Sequence, residues 1–329
     1  MISTQVLDIA IQAQRVSIAL CTLNGGPFLQ AQLDSYLAQR RLPDELVACD
    51  DGSTDNTLAI LDEFAQRSPF PVRILRNPRR LGVVANFEQA IGLCKGDVIA
   101  LSDQDDVWLP EKLACLMREL QAPETMAVFS DATVVDASLQ PLGYTLWQRV
   151  QFRQPERMAV ADGDGFPVLL RHSVVMGASL AFRAELRAAI LPIPPEWNHD
   201  AWIALIATNA GRLAMCETPL LSYRQHGANQ VGAAKQSPLH QGLEARKVDR
   251  RHYYDTELQL WASLLERLTL LGESVPQPLL GKIAHLQVRA NLPASRVRRI
   301  PGIWRELVGG AYARYARNWG SVALDLFIK

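Results

Sequence analysis

Asp103, Asp105 and Asp106 crowd three carboxylates into four residues at the end of the apolar run Gly96-Asp-Val-Ile-Ala-Leu-Ser102. Like charges this close raise one another's pKa unless a cation relieves them. A hard divalent ion carrying a phosphorylated ligand is the simplest relief, and Asp103 and Asp105 stand two apart, as on one face of an extended segment. The plainer alternative is a solvated turn running into a helix cap, but the position at the end of a buried strand favours the ion. A second acidic pair, Asp50-Asp51, ends the run Glu45-Leu-Val-Ala-Cys49. Asp51 can accept a hydrogen bond from a base or ribose, or it can simply close an Asx turn within Asp-Gly-Ser-Thr-Asp55. No GxGxxG follows the first strand and no GxxxxGK[ST] occurs, which disfavours dinucleotide and P-loop sites.

Short apolar runs at 16–21, 45–49, 72–75 and 97–102 alternate with helical patterns at 28–37, 55–64 and 83–94. This alternation predicts a largely parallel, doubly wound α/β sheet, whose ligands gather beyond the carboxyl ends of the strands. The polar sites at 22–24, 50–51 and 103–106 all fall there. Beyond Pro110 the pattern predicts a helix at 111–120, strands at 127–135 and 176–182, and a short strand at 213–216. Residues 141–165 lack periodicity and read as a long irregular binding loop. Prolines 192, 194 and 195 precede Asn198-His-Asp200, where Asn198 or Asp200 can cap a helix from Trp202 to Ala210.

A chain of 329 residues with 48% hydrophobic content can bury a substantial core. Lys+Arg and Asp+Glu are both 34, so there is no overall charge bias toward nucleic acid. Five cysteines without a CxxC pair point to a reducing cytosol, and the start of the chain lacks the apolar core of a signal peptide. No stretch approaches a membrane span. The charge is nevertheless uneven, because residues 241–329 carry fourteen Lys/Arg against eight Asp/Glu. From 282 to 319, Lys282, Arg289, Arg296, Arg298, Arg299, Arg305, Arg314 and Arg317 face only Glu306, with Trp304, Tyr312, Tyr315 and Trp319 among them. Such a segment is a candidate for an anionic membrane surface, or equally an ordinary helical appendage with a solvated basic face.

Several of these segments together carry a resemblance. Val16 through Asn24, Asp50-Asp-Gly-Ser-Thr-Asp55, Asn77 through Leu81-Gly82 to Asn86, and Leu101-Ser-Asp-Gln-Asp-Asp-Val-Trp-Leu-Pro110 resemble family 2 glycosyltransferases of the GT-A fold. Ser102-Asp-Gln-Asp-Asp-Val-Trp108, Asn198-His-Asp-Ala-Trp202 and Tyr223 through Gly232 are similar to the bacterial rhamnosyltransferase branch. The resemblance implies a GT-A, Rossmann-like mixed sheet with helices on both faces, followed by a C-terminal helical extension. It implies that Thr22, Leu23, Asn24 and Asn86 belong to the nucleotide site with Asp51 on the base, and that Asp103 and Asp105 hold Mg²⁺ or Mn²⁺ on the diphosphate. Asp200 then matches the catalytic base, and His226 matches a metal ligand or hydrogen-bond donor near the diphosphate. Leu23 departs from the Tyr often found there, so a ring that could stack on the base is missing. On its own Asp200 is also a plain N-cap, and His226 an ordinary surface histidine.

The resulting expectation is a cytoplasmic enzyme, peripheral on the inner face of the cell membrane if the basic tail binds there. Residues 1–239 form its transferase domain, with a nucleotide-sugar half at 16–120 and an acceptor half at 121–239. Residues 240–329 form the basic helical extension. The enzyme moves a sugar, L-rhamnose from dTDP-rhamnose or another sugar from a UDP donor, to a glycan or lipid-linked acceptor with inversion. A non-catalytic nucleotide-sugar-binding module would be expected to lose the metal or base carboxylate, and both are present. A phosphorelay receiver would need only one compact domain, and a processive synthase would bring membrane spans.

Overall fold

Seven consecutive buried residues of β1 (Val16–Thr22) form the axis of a nine-stranded mixed sheet. The computed structural model describes residues 14–226, 250–317 and 319–327. The expected boundary at 239/240 and the motif residues 227–232 lie outside them. After β1, helices and strands alternate as α1 (Leu29–Leu37), β2 (Glu45–Asp50), α2 (Thr57–Arg67), β3 (Val72–Arg76), α3 (Val83–Leu93) and β4 (Val98–Ser102). β2 and β4 flank β1 in parallel, and β3 lies parallel to β2. The pairings Thr22 with Asp50 and Leu20 with Ser102 bring the exits of three strands to one edge of the sheet.

Alternation decides which face each side chain takes. Val16, Ile18 and Leu20, with Leu46, Ala48, Val98 and Ala100, pack against Leu29, Leu33 and Tyr36 of α1 and Leu61 and Phe64 of α2. On the other face α3 covers β1 and β2, burying Phe87, Ala90 and Ile91. Each such aliphatic side chain contributes about 1.5–3 kcal/mol relative to exposure. Trp108, Trp147, Trp197 and Trp202 are all core residues.

The second half continues with β5 (Val107–Trp108), α4 (Lys112–Glu119), β6 (Thr125–Val135), β7 (Pro141–Thr145), α5 (Leu146–Val150), α6 (Gln154–Ala161) and α7 (Gly165–Arg171). A 3₁₀ turn at Gly177–Ser179 leads into β8 (Leu180–Arg183), α8 (Arg187–Ile190), α9 (His199–Ala210) and β9 (Arg212–Arg224). The strand order is β3-β2-β1-β4-β8-β6-β9-β5, with β7 on β6, and β8 runs antiparallel to both β4 and β6. Two expectations need correction. Residues 141–165 are not irregular: Thr145 and Gln148 form a reciprocal capping box that starts α5, and Pro155 sits in the first turn of α6. These elements are too short for a periodicity to show, and their only signals are caps. The strand expected at 213–216 runs on to Arg224, past Pro219. Its parallel pairing with β6 absorbs the break through register shifts around Asp131.

By their contacts the described residues form two units, one of residues up to 165 with 173–226, the other of 166–172 with those from 250. The second unit contains α10 (Arg250–Leu270), α11 (Gln277–Ala290), α12 (Arg296–Val308), α13 (Ala311–Tyr315) and α14 (Gly320–Phe327). Asp325, fully buried, is its polar centre: it accepts from Arg289 Nε at 2.7 Å and from the hydroxyls of Tyr312, at 2.5 Å, and Tyr254. Arg299 donates to the Asp325 carbonyl at 2.9 Å and to the carbonyls of Pro293 and Ala294. Lys282 is buried over the Trp261 ring and donates to the Tyr315 carbonyl, and burial pushes its ammonium down to about 8. Lys282, Arg289 and Arg299 therefore do not belong to a solvated basic face, because each satisfies internal acceptors. Removing one partner from a buried ionic group costs about 3–5 kcal/mol. Asp325→Ala is accordingly expected to collapse hydrogen-exchange protection across 250–327, whereas Arg314→Ala, at an exposed site, should leave it unchanged.

Candidate active site

The acidic run leaves β4 and turns immediately into β5, which pairs antiparallel with the end of β9: Val107 with Ser222 and Trp108 with Leu221. This pairing brings Asp105 and His226, 121 residues apart, to 2.8 Å between Oδ2 and Nε2. The His226 ring lies 4.4 Å from the Phe28 ring at the head of α1, and the Arg224 guanidinium stands over the same phenyl at 4.8 Å. Arg224 braces the acidic run through its backbone, with its N–H donating to Asp106 Oδ1 at 2.9 Å and its Nε to the Asp105 carbonyl at 2.7 Å.

Asp103 is half-buried, and no side-chain hydrogen bond to its carboxylate is found among the described residues. Burial, then the charges of Asp105 and Asp200, push it up to about 7, against the pull of Lys112. Asp106, fully enclosed, is pushed well above the carboxylate range by burial and by Asp105 and Asp103. Beneath them Lys112 is buried with its ammonium 3.7 Å over the Trp108 ring, donating to the Ala178 carbonyl. Burial drives Lys112 down to about 7 despite Asp106 and Asp103.

Asp200 lies in the first turn of α9. Its Oδ2 accepts from the Gly177 N–H at 3.0 Å and its Oδ1 from the Ala201 N–H at 2.7 Å. Asn198 precedes the helix without a side-chain cap bond, so the carboxylate of Asp200 reaches across to the 3₁₀ turn instead of closing the helix end. His199 is stacked on Phe87 at 4.0 Å, and burial pushes its imidazole down, so it stays neutral near pH 7 despite the adjacent Asp200. Gly177 is required by space: a Cβ there would lie 2.6 Å from His199 Nε2.

The strand exits at β1 and β2 form the other part of the edge, around a cavity of about 560 Å³ lined by Leu23, Asn24, Asp51, Asn77, Arg79 and Arg80 among others. Asn24 takes a left-handed conformation (φ 51°), which Asn tolerates, and its side chain accepts from the Thr54 N–H at 2.9 Å. Asp51 is buried with three hydrogen bonds already made, from the N–H groups of Leu81 (2.6 Å) and Gly82 (2.9 Å) and from Asn77 Nδ2 (3.0 Å). Gly82 has φ 88°, which lets the backbone turn back onto Asp51. A carboxylate offers about four lone-pair sites, so Asp51 retains capacity for one more donor.

Two residues expected in the nucleotide site, Thr22 and Asn86, do not line this cavity. Thr22 is buried with its hydroxyl on Asp50 Oδ2 at 2.9 Å. Asn86 is buried too, accepting from Asn77 at 2.9 Å and donating to the Cys49 carbonyl at 2.8 Å, so it acts through Asn77 rather than as pocket wall. Gln104 was missed as a working residue. Its amide makes a reciprocal pair with the backbone of Leu23, accepting from the N–H at 2.8 Å and donating to the carbonyl at 3.0 Å. Its place between the acids was the only available signal. Arg79 and Arg80 were also missed, since Arg-Arg before Leu-Gly reads as ordinary loop.

The donor set suits a hard cation: carboxylate oxygens of Asp103 and Asp105, crowded by Asp200, with the His226 imidazole beside them. Among the described residues no three His, Cys, Asp or Glu side chains converge tightly enough to hold an ion alone. Mg²⁺ and Mn²⁺ are commonly held by one or two carboxylates, with phosphate and water in the remaining positions.

A mixed sheet of this order, with an acidic strand exit beside a cationic cleft, is that of a GT-A glycosyltransferase. The structure of Staphylococcus aureus TarS residues 1–349 in complex with UDP-GlcNAc superposes with a TM-score of 0.59 at 14% identity, covering 94% of this chain and 90% of that one. The mannosyltransferase PcManGT of Pyrobaculum calidifontis in complex with GDP-Man and Mn²⁺ gives 0.54 at 19% identity, covering 91% and 78%. Residues 17–164 match the family described as Glycosyl transferase family 2. The dTDP-rhamnosyl transferase RfbG of Shigella flexneri is 36% identical over 224 residues, 65% of this chain and 74% of the relative. An uncharacterized glycosyltransferase of Nostoc sp. is 24% identical over 238 residues, 70% of this chain and 71% of that one. The chain belongs to glycosyl transferase family 2.

Asn77, buried in the cavity wall, joins Asp51 to Asn86, and the half-buried Gln89 donates to its Oδ1 at 2.6 Å. Leaving buried polar groups unsatisfied costs about 1–3 kcal/mol. Asn77→Ala is expected to lower the unfolding free energy by that amount in denaturant titration, and Arg79→Ala, on the rim, by less than about 0.5 kcal/mol.

Proposed function

We propose that this chain is a metal-dependent inverting transferase that moves L-rhamnose from dTDP-rhamnose to a hydroxyl of a glycan or lipid-linked acceptor in cell-surface polysaccharide synthesis. One observation carries the reaction type: Asp200, anchored by the Gly177 N–H, lies within electrostatic reach of Asp103, and Gln104 of the same acidic run is hydrogen-bonded to Leu23 in the wall of the Asp51 cavity. The sugar is supported by the 36% identity to an enzyme named as a dTDP-rhamnosyl transferase.

In this reading the nucleotide lies in the cavity with Leu23 and Asn24 against it, its base donating to the remaining lone pair of Asp51. Arg76, Arg79 and Arg80 give the cavity a positive wall suited to a polyanion. Asp103 and Asp105 would hold Mg²⁺ or Mn²⁺, with His226 either as a further ligand or as a donor that orients Asp105. When bound, the ion neutralises charge growing on the departing diphosphate. The complex named with GDP-Man and Mn²⁺ supports a divalent ion in this fold.

Asp200 takes the proton from the acceptor hydroxyl while that oxygen attacks the anomeric carbon from the face opposite the diphosphate. The new bond forms from the acceptor oxygen to the anomeric carbon, the bond from that carbon to the diphosphate oxygen breaks, and the proton rests on Asp200 until solvent removes it. Both Asp200 oxygens accept a backbone hydrogen bond, which aims the carboxylate without supplying a proton. Neutral His199, packed on Phe87, adds no competing charge. With a lipid-linked acceptor the work would take place at the cytoplasmic face of a membrane. No helix among the described residues is long and apolar enough to cross one.

Asp200→Asn is expected to retain thermal protection by dTDP-rhamnose while transfer falls by about 10²-fold or more. Full transfer by this variant would remove Asp200 as the base. Asp105→Ala, or chelation with EDTA in the parent protein, is expected to abolish transfer and to weaken nucleotide-sugar protection. A panel of nucleotide sugars assayed for thermal protection and hydrolysis tests the donor, and preference for a UDP-sugar would overturn the rhamnose assignment.

A further inference from the structure

Helix α12 has two apolar faces, and only one is covered by the described residues. Ile303, with the partly buried Leu307, packs into a small core with Leu292, Tyr312 and Ala316, and Arg299 is buried on the same helix. Val297, Ile300, Trp304 and Val308 are instead 74%, 52%, 65% and 69% exposed. At 3.6 residues per turn these four fall within an arc of about 80°. Arg298 and Arg305 border the arc on one side and Arg296 on the other, and all three are exposed. Arg296 also donates to the carbonyl of Phe327, a further exposed apolar residue next to the start of the stripe.

We infer that this stripe is a docking surface for an anionic lipid bilayer, with Val297, Ile300, Trp304 and Val308 entering the acyl boundary and Arg296, Arg298 and Arg305 meeting lipid phosphates. The arrangement has the parts of an interfacial helix: a narrow apolar face, an indole at its centre and cations along its margins. Charge selects the occupant. A symmetric pairing of two copies would set the same patch against itself, bringing Arg296, Arg298 and Arg305 of one copy against those of the other. The one acid on the helix, Glu306, compensates little, because its carboxylate is largely buried and bonded to His285 at 2.8 Å, with the exposed Arg305 Nε 4.0 Å away. An anionic membrane answers both the apolar stripe and the exposed arginines, of which Arg305 meets an acid only at 4.0 Å, in Glu306. The inference rests on the proposed lipid-linked acceptor only for its purpose, since the surface is defined by its own residues.

The test is co-sedimentation of the full chain with phosphatidylglycerol–phosphatidylcholine vesicles and with phosphatidylcholine vesicles alone. Binding to the anionic vesicles is expected to be about tenfold or more tighter than to neutral ones, and to fall with added salt. Two variants are compared, one with Val297→Ser, Ile300→Ser and Trp304→Ser together, the other with Arg296→Gln, Arg298→Gln and Arg305→Gln together. Each is expected to lose about tenfold or more of the anionic binding while keeping the parent's circular dichroism. Parent-like binding by either variant, or equal binding of the parent to both vesicle types, overturns the inference. So does a parent that stays off the vesicles and elutes as a dimer which the serine variant converts to monomer. Thermal protection by dTDP-rhamnose, measured in parallel, separates the two readings. Vesicle binding without donor protection removes the rhamnose transfer alone, and donor protection without vesicle binding removes the docking surface alone.

Discussion

Repulsion among carboxylates is the constraint that shapes the first unit. Asp103, Asp105, Asp106 and Asp200 are gathered where burial already disfavours charge, and the surrounding architecture compensates each differently. Asp105 faces an imidazole, Asp106 receives a backbone N–H and lies in the field of Lys112, and Asp200 accepts two backbone N–H groups. Among the described residues Asp103 is the one of the four whose carboxylate receives no hydrogen bond, which makes it the carboxylate with most to gain from a cation. The short β5–β9 pairing matters far beyond its two residues, because together with the hydrogen bonds of Arg224 to Asp105 and Asp106 it joins the acidic run to the strand that leads to His226.

Much of this was legible in the residues. The parallel half of the sheet follows from apolar runs separated by helical periodicity, and the three polar strand exits fall at one edge because parallel strands share their carboxyl ends. The acids, Asp51 and Asp200 could be singled out by type and position. What stayed hidden depends on long-range pairing or on single side chains. The extension of β9 past Pro219 has no local signature, since a parallel partner with register shifts is what permits it. Asn86 has the look of a pocket residue and is a buried tie, a distinction made only by where Asn77 points. Gln104 carries no charge and follows no periodicity, so only its contact with Leu23 reveals its work.

The C-terminal unit shows how composition misleads when burial is unknown. Eight cations against one acid suggested a uniform basic face, yet Lys282, Arg289 and Arg299 are internal and serve Asp325 and backbone carbonyls. The exposed cations that remain are fewer, Arg296, Arg298, Arg305, Arg314 and Arg317, and the first three share one helix with outward apolar residues. Stability and surface chemistry are thus divided among residues that a charge count treats as equivalent.

The Gln104 amide couples two loops that belong to different strands, since one side chain satisfies both backbone groups of Leu23 from the middle of the acidic run. The identity of that residue is constrained chemically on both ends: a carboxylate of the same shape could still accept from the N–H, but would set an oxygen against the Leu23 carbonyl and add a fourth negative charge within four residues. Only an uncharged side chain with both a donor and an acceptor at that reach keeps the two loops joined without adding to the repulsion.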